Sequence, residues 1–236
     1  MSTTRRPTLR APILGFGQYR PAGTRNARAM SSTPEPPSTA RGCLAGIAAA
    51  VGYRFDRTDL AGVRVAVQGL GNVGRNLCGL LAERGVELVV SDVRPDAVAD
   101  AVERYGAVAV DPDQVHEEKV DVFAPCALGA VIDDGTAARV AAPIVAGAAN
   151  NQLADERRHG AALHVRGILY APDYVMNAGG MIQLAAERSG TFDRADVRQR
   201  TDRIGHTLLE VFARADLDGV STSTAAAALA DERIAR

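Results

Sequence analysis

The stretch Val63–Cys78, VRVAVQGLGNVGRNLC, limits this chain more than any other. A β-like apolar run breaks on glycines spaced G-x-G-x-x-G and leads into a segment that places Leu77, Leu80 and Leu81 on one helical face. Gly69 permits a tight turn, Gly71 lets backbone approach a diphosphate, and Gly74 lets the helix pack close to the strand. The helix begins near Asn72 and Val73, so its N-terminus faces the phosphate charge. Asp92 closes the next apolar run, 18 residues beyond Gly74. A carboxylate there accepts hydrogen bonds from an adenosine ribose and repels a 2′-phosphate, which favours NAD over NADP. Arg94, two residues on, would soften that preference or stand as a solvated surface charge. The competing reading is an ordinary structural turn, but the strand before and the amphipathic helix after weigh against it.

The flanking sequence keeps alternating between the two periodicities. TARGCLAGIAAAVGY is expected to be a helix capped by Ser38 or Thr39, and VRVAVQ a strand. VGRNLCGLLAERG is expected to be a helix stopping at Gly85, VELVVSD a strand, and Pro95 to Tyr105 a helix. VDVFAPC and APIVAGA read as strands separated by a short helix near Asp134 to Ala141; LADERRHGAALHVRG reads as a helix and ILYAP as a last strand. Three helices follow, at Tyr174 to Arg188, Arg194 to Ala215 and Thr222 to Ala235. Continuous Val/Ile/Leu runs are strands buried on both faces. The expectation is an α/β fold, a doubly wound parallel sheet of Rossmann type with C-terminal helices.

Residues 1–34 behave differently. They carry six arginines and no acid, lack apolar periodicity, and are expected to form a disordered tail ahead of a dinucleotide-binding domain at 35–236. Arg5-Arg6 with PTLRAPILGFG faintly imitates an export signal, and the lack of acids a transit peptide; Met30 is an alternative start. The net charge of −1 argues against a nucleic-acid partner, and no apolar run is long enough to cross a bilayer. Cys43, Cys78 and Cys126 form no C-x-x-C or even framework and read as packing residues of a cytoplasmic protein. His159 and His164 are five apart, on different helical faces, with nothing to complete a metal set; no metal is expected.

Four further segments, FAPCALGAVI, VAGAANNQLADE, RGILYAPDYVMNAGGMI and IGHTLLEVFARADLDGV, together with the glycine loop, resemble the amino-acid dehydrogenases acting on leucine, valine and phenylalanine, relatives of glutamate dehydrogenase. The resemblance runs from about Ser31 or Ser32 to the C-terminus. It implies oxidative deamination of a small L-amino acid to a 2-oxo acid and ammonia, with hydride passing from the α-carbon to NAD. By resemblance, Thr39 contacts the nicotinamide amide, Ala127 and Leu128 lie beside the nicotinamide ribose, and Asn150 lies against the cofactor. Asn177 meets the substrate amine and nicotinamide, while Met181 and Leu184 line the substrate side-chain pocket. Read without the family, the two asparagines are caps or turn residues and Met181 and Leu184 are ordinary core.

The family also implies a preceding substrate domain that supplies an acid/base lysine, a second lysine for the substrate carboxylate and a proton-transferring aspartate. The chain holds one lysine, Lys119, in HEEKVD just before a strand, and it is expected to be a solvated charge facing away from the ligand edge. Arginine cannot replace it as a base. No catalytic residue is therefore assigned. Three readings stand in this order: a dinucleotide domain with little turnover alone; a chain active only with a partner chain that supplies the lysine; and a non-catalytic nucleotide-binding or interaction module. Homo-oligomer formation stays open.

Overall fold

The computed structural model describes residues 37–127, 129–190 and 192–235. The tail expected at 1–34 lies outside them, as does Leu128. The division of the chain by contacts falls between Pro34 and Glu35, and every described residue belongs to the second unit.

Six parallel strands form one sheet: β1 (Arg64–Gln68), β2 (Glu87–Ser91), β3 (Val108–Ala109), β4 (Val122–Pro125), β5 (Ile144–Val145) and β6 (Leu169–Tyr170). Their order is β3-β2-β1-β4-β5-β6, so the chain winds outward from β1 in one direction and, after β3, returns to continue in the other. This is the doubly wound sheet expected from the alternation of periods. β3 was not among the expected strands. It is two residues long with both exposed, and so carries no apolar signal.

Register explains why the strands read as continuous apolar runs. Val65 aligns with Leu88 on one side and Val122 on the other, and Val122 with Ile144. One residue on, Ala66 aligns with Val89 and Phe123, and Phe123 with Val145. Successive side chains point to opposite faces. The first row joins a core with Ile47, Leu77, Leu81, Leu208 and Phe212; the second joins a core with Ile132, Val140, Leu163 and Tyr170.

The first core is roofed by α1 (Ser38–Phe55), α2 (Asn72–Ala82) and α9 (Ile204–Asp218). α1 buries Ala40, Cys43, Leu44, Ile47, Ala50 and Val51, apolar on most of its circumference, as a helix wrapped by neighbours must be. α3 (Pro95–Tyr105) flanks β2, while α4 (Asp134–Arg139) and α5 (Glu156–Val165) cover the second face.

Several expected boundaries move. α1 is capped by neither Ser38 nor Thr39: Pro37 is its N-cap, no side chain caps it, and the Ser38 hydroxyl instead donates to Gln183 Oε1 at 2.8 Å. The helix expected at Tyr174 to Arg188 is two, α6 (Asp173–Met176) and α7 (Ala178–Arg188), broken at Asn177. The one expected at Arg194 to Ala215 is α8 (Arg194–Asp202) followed by α9, broken at Arg203. Glycines stand just past both breaks, Gly179 and Gly180 after Asn177 and Gly205 after Arg203, and each packs against α1, around which the chain turns. α10 (Thr222–Ile234) starts from a Ser221 cap, as the Ser-rich segment suggests.

Leu208 is fully buried against α1, so Leu208→Ala is expected to lower the unfolding free energy by about 2–5 kcal/mol, read from the urea midpoint. Leu217→Ala, at a position 82% exposed on the same helix, should change it by less than about 0.5 kcal/mol.

Candidate functional site

All parallel strands end at the same edge, and the candidate residues follow those ends. Gly69 succeeds β1, Asp92 succeeds β2, Ala127 follows β4 by two residues, and Asn177 lies beyond β6. The reversal of winding between β1 and β4 opens a crevice at this edge, the usual ligand position in open α/β sheets.

The glycine loop is built by contact with backbone. Gly69 has φ +92°, and a Cβ there would meet the Ala127 nitrogen at 2.6 Å and its Cα at 2.8 Å. A Cβ at Gly74 would fall 1.9 Å from the Gly69 carbonyl oxygen. Gly71 is the contrast: it is exposed, and an added Cβ would meet nothing within 4 Å. Two glycines are thus required by packing, and the third stands over open space in front of α2. No side chain caps α2, whose first N–H groups at Asn72 and Val73 are left for a ligand. The cradle fits a diphosphate.

Asp92 stands beside this loop with little of its side chain exposed. One oxygen accepts from Leu70 N at 2.5 Å; the other accepts from Arg94 N at 2.9 Å and Arg94 Nε at 3.3 Å. Arg94 also donates to the Leu70 carbonyl at 3.0 Å, so the pair clasps the turn. Burial alone would raise the Asp92 pKa, but the backbone donors of Leu70 and Arg94 and the guanidinium charge outweigh it and hold the carboxyl below its ordinary 3.8. The stabilisation from a depressed carboxyl is complete above the ordinary value and is lost only as pH falls through the lower folded one. The clasp therefore stays charged through the neutral range.

At the other side of the crevice, Asn177 Nδ2 donates to Asn150 Oδ1 at 2.6 Å, joining two residues 27 apart in sequence. Asn151 takes the left-handed conformation, φ 51°, and its carbonyl accepts from Ala130 N, which seats the loop after β4 on the loop after β5. Thr39 lies at the start of α1 against α7: a Cβ at Gly180 would come within 2.8 Å of its hydroxyl, and one at Gly179 within 2.2 Å of the Ser38 carbonyl. The NAGG glycines are what let these helix starts touch.

Met181 and Leu184 are exposed on α7, at 67% and 42%. They are not ordinary core. Lys119 is exposed ahead of β4, at the opposite end of the strands from the glycine loop. His159 is buried; its Nδ1 accepts from Asp155 N at 3.0 Å and its Nε2 lies 3.1 Å from Asp134. His164 is exposed, and no group of three or more His, Cys, Asp or Glu among the described residues is placed to hold a metal.

No local spacing discloses a cavity of about 160 Å³ that shares Asn150 and Asn177 and is also lined by Asn151, Leu153, Glu156, Tyr170, Asp173 and Tyr174. Burial and the charge of Asp173 raise the Glu156 pKa. Asp173 also accepts from Gln152 N at 3.1 Å, bracing the ANN loop. Glu156 and Tyr170 are 14 apart and belong to different elements, so no local motif links them.

The family model for Glutamate/Leucine/Phenylalanine/Valine dehydrogenase matches residues 94–236. Leucine dehydrogenase of Geobacillus stearothermophilus is 45% identical over 204 residues, covering 86% of this chain and 55% of that protein. L-tryptophan dehydrogenase of Nostoc punctiforme is 46% identical over 198 residues, covering 84% of this chain and 56% of that protein. Its crystal structure superposes with a TM-score of 0.82, covering 84% of this chain and 60% of that one. The chain spans about half the length of the curated relatives it matches. By fold, motif order and similarity, the chain belongs to the glutamate/leucine/phenylalanine/valine dehydrogenase family of amino-acid dehydrogenases.

Proposed function

We propose that residues 37–235 are the dinucleotide-binding half of an NAD-dependent amino-acid dehydrogenase working in the cytoplasm on a branched-chain or aromatic L-amino acid. The single observation that carries this reading is the open space over Gly71 beside the uncapped start of α2, flanked by the Asp92 carboxylate. When bound, NAD supplies the hydride acceptor for oxidation at the substrate α-carbon.

The chain's own residues then have separable tasks. The N–H groups around Asn72 and Val73 hold the diphosphate, with Gly69 and Gly74 keeping the loop in place. Asp92 takes the adenosine ribose hydroxyls, and its charge repels a 2′-phosphate. Thr39, Ala127, Leu128, Asn150 and Asn177 are assigned to the nicotinamide end. The Asn150–Asn177 hydrogen bond supports this, because it fixes both amides at the crevice before any ligand arrives. Met181 and Leu184, exposed on α7, are assigned to one wall of the amino-acid side-chain pocket.

Deamination also needs a group of tuned pKa to move protons for the attacking water and the carbinolamine. Lys119 is at the wrong end of the sheet for that work. The acid/base group must therefore come from outside residues 37–235, whether from the same polypeptide or from another chain. The exposure of Met181 and Leu184 favours a surface that another domain covers.

Three measurements test the reading. In a fluorescence titration, Gly71→Ala should weaken NADH binding at least about tenfold with the thermal midpoint unchanged, whereas Gly74→Ala should lower the midpoint as well. NADH should bind at least about tenfold tighter than NADPH, with Arg94→Ala widening the gap and Asp92→Ser narrowing it; equal binding of the two would refute the role of Asp92. Following NADH formation from leucine, valine and phenylalanine, these residues alone should give a rate near blank, and turnover should appear when a lysine-bearing substrate domain of the family is added. Strong turnover by these residues alone would show that Lys119 or another group does the proton work.

A further inference from the structure

Nothing in its own sequence fixes where α1 begins. Pro37 stands at the N-cap with no polar side chain to offer, and no other side chain caps the helix. The first N–H to close a turn is that of Arg41, on the Pro37 carbonyl at 3.1 Å. A helix start left this open takes its position from its neighbours. The Arg41 guanidinium reaches both oxygens of Asp202 on α8 at 2.7 Å, which ties the first turn toward that helix. Toward α7 a different set of contacts operates.

The contacts with α7 differ in kind. A Cβ at Gly179 would fall 2.2 Å from the Ser38 carbonyl oxygen, and one at Gly180 would fall 2.8 Å from the Thr39 hydroxyl. These limit how near the two helix starts can come, but they carry no direction. The hydrogen bond from Ser38 Oγ to Gln183 Oε1, 2.8 Å long and spanning 145 residues of sequence, does. The Gln183 amide cannot turn over, because its Nε2 donates to Glu187 Oε1 at 2.9 Å one helical turn further along, and a carboxylate only accepts. Oε1 is therefore held toward Ser38. Glu187, Gln183 and Ser38 form one line of directed bonds from α7 to the first residue of α1.

The next residue along α1 is Thr39. Its hydroxyl lies against Gly180, one turn along α7 from Asn177, and has no hydrogen-bond partner among the described residues. An unspent hydroxyl thus stands near the asparagine pair, on a turn of helix whose direction Gln183 sets.

We propose that Gln183 is a positioning residue for the cofactor: by holding Ser38 it fixes the first turn of α1, and with it the aim of the Thr39 hydroxyl at the nicotinamide end of the crevice. Gln183 acts through Ser38 and Thr39 rather than by touching the ligand. Its tie to the nicotinamide rests on the dinucleotide reading proposed above. Because Gln183 lies between Met181 and Leu184 on α7, the same bond also joins the cofactor end to the helix assigned to the substrate wall.

The test compares NADH with ADP-ribose, which has the same diphosphate and adenosine but no nicotinamide. Dissociation constants are measured on the full chain by NADH fluorescence and by competition with ADP-ribose, for the unmutated protein, Gln183→Met, Ser38→Ala and the double variant. Methionine keeps an unbranched side chain without the amide. Each single variant is expected to weaken NADH about threefold to tenfold, the loss of one hydrogen bond, and ADP-ribose less than about twofold. The double variant should bind NADH no more weakly than the worse single one, because both substitutions remove the same bond. Ser38→Ala, which takes away one oxygen only, keeps the test decisive if Gln183→Met fails to fold.

Unchanged NADH binding, an equal loss for both ligands of the kind a loosened fold gives, or losses that multiply in the double variant would each overturn the assignment. Equal affinity of the unmutated chain for the two ligands would overturn it as well, since the nicotinamide end would then have no hold to lose. Failure of the unmutated chain to bind ADP-ribose is a separate result: it strikes the dinucleotide reading itself, before any variant is made.

Discussion

The approach of backbone to backbone at Gly74 and Gly69 is the constraint from which the rest of the site follows. An added methyl at Gly74 would fall 1.9 Å from the Gly69 carbonyl, so α2 can start this close to β1 only because nothing lies between them. That closeness aims the first N–H groups of α2 at the crevice. It also brings the loop within reach of Asp92 from β2 and of Ala127 from beyond β4. Three strands thus contribute to one glycine loop, and none of the contacts is an isolated ion pair whose worth would vanish in salt.

Around that cradle the chain divides its labour by rigidity. The two cores are apolar and buried, and they fix where each loop begins. The loops after β4 and β5 are then tied to each other through Ala130 and Asn151 and through Asn150 and Asn177, using polar groups that a longer apolar strand could not have offered. The breaks at Asn177 and Arg203 belong to the same economy. They let α7, α8 and α9 turn around α1, whose nearly all-round apolar surface leaves no face for solvent.

Exposure marks one face of the molecule as unlike the rest. Met181 and Leu184 are large, apolar and uncovered on the face of α7 that adjoins Asn177. The one lysine in the chain stands at the far end of the sheet. The chain spans about half the length of the leucine and tryptophan dehydrogenases it matches, and the uncovered apolar face lies within that half.

From residue order alone, the alternation of periods and the glycine spacing sufficed for the doubly wound sheet, the strand–loop–helix cradle and Asp92, because these depend on interactions within a few residues or on a run of burial that repeats. Where local signal was absent, the tertiary structure decided. β3 exists because β2 offers an edge, not because two exposed residues prefer extension; the helix expected from Arg194 to Ala215 breaks at Arg203 because its two halves pack on α1 in different directions. The resemblance named Asn150 and Asn177, but only folding made them partners, and only folding gathered Glu156, Tyr170, Asp173 and Tyr174 around one cavity. Periodicity reports which face of an element is buried. It carries no record of which other element that face will meet, since that is settled by sheet order and helix packing across separations that no local spacing encodes.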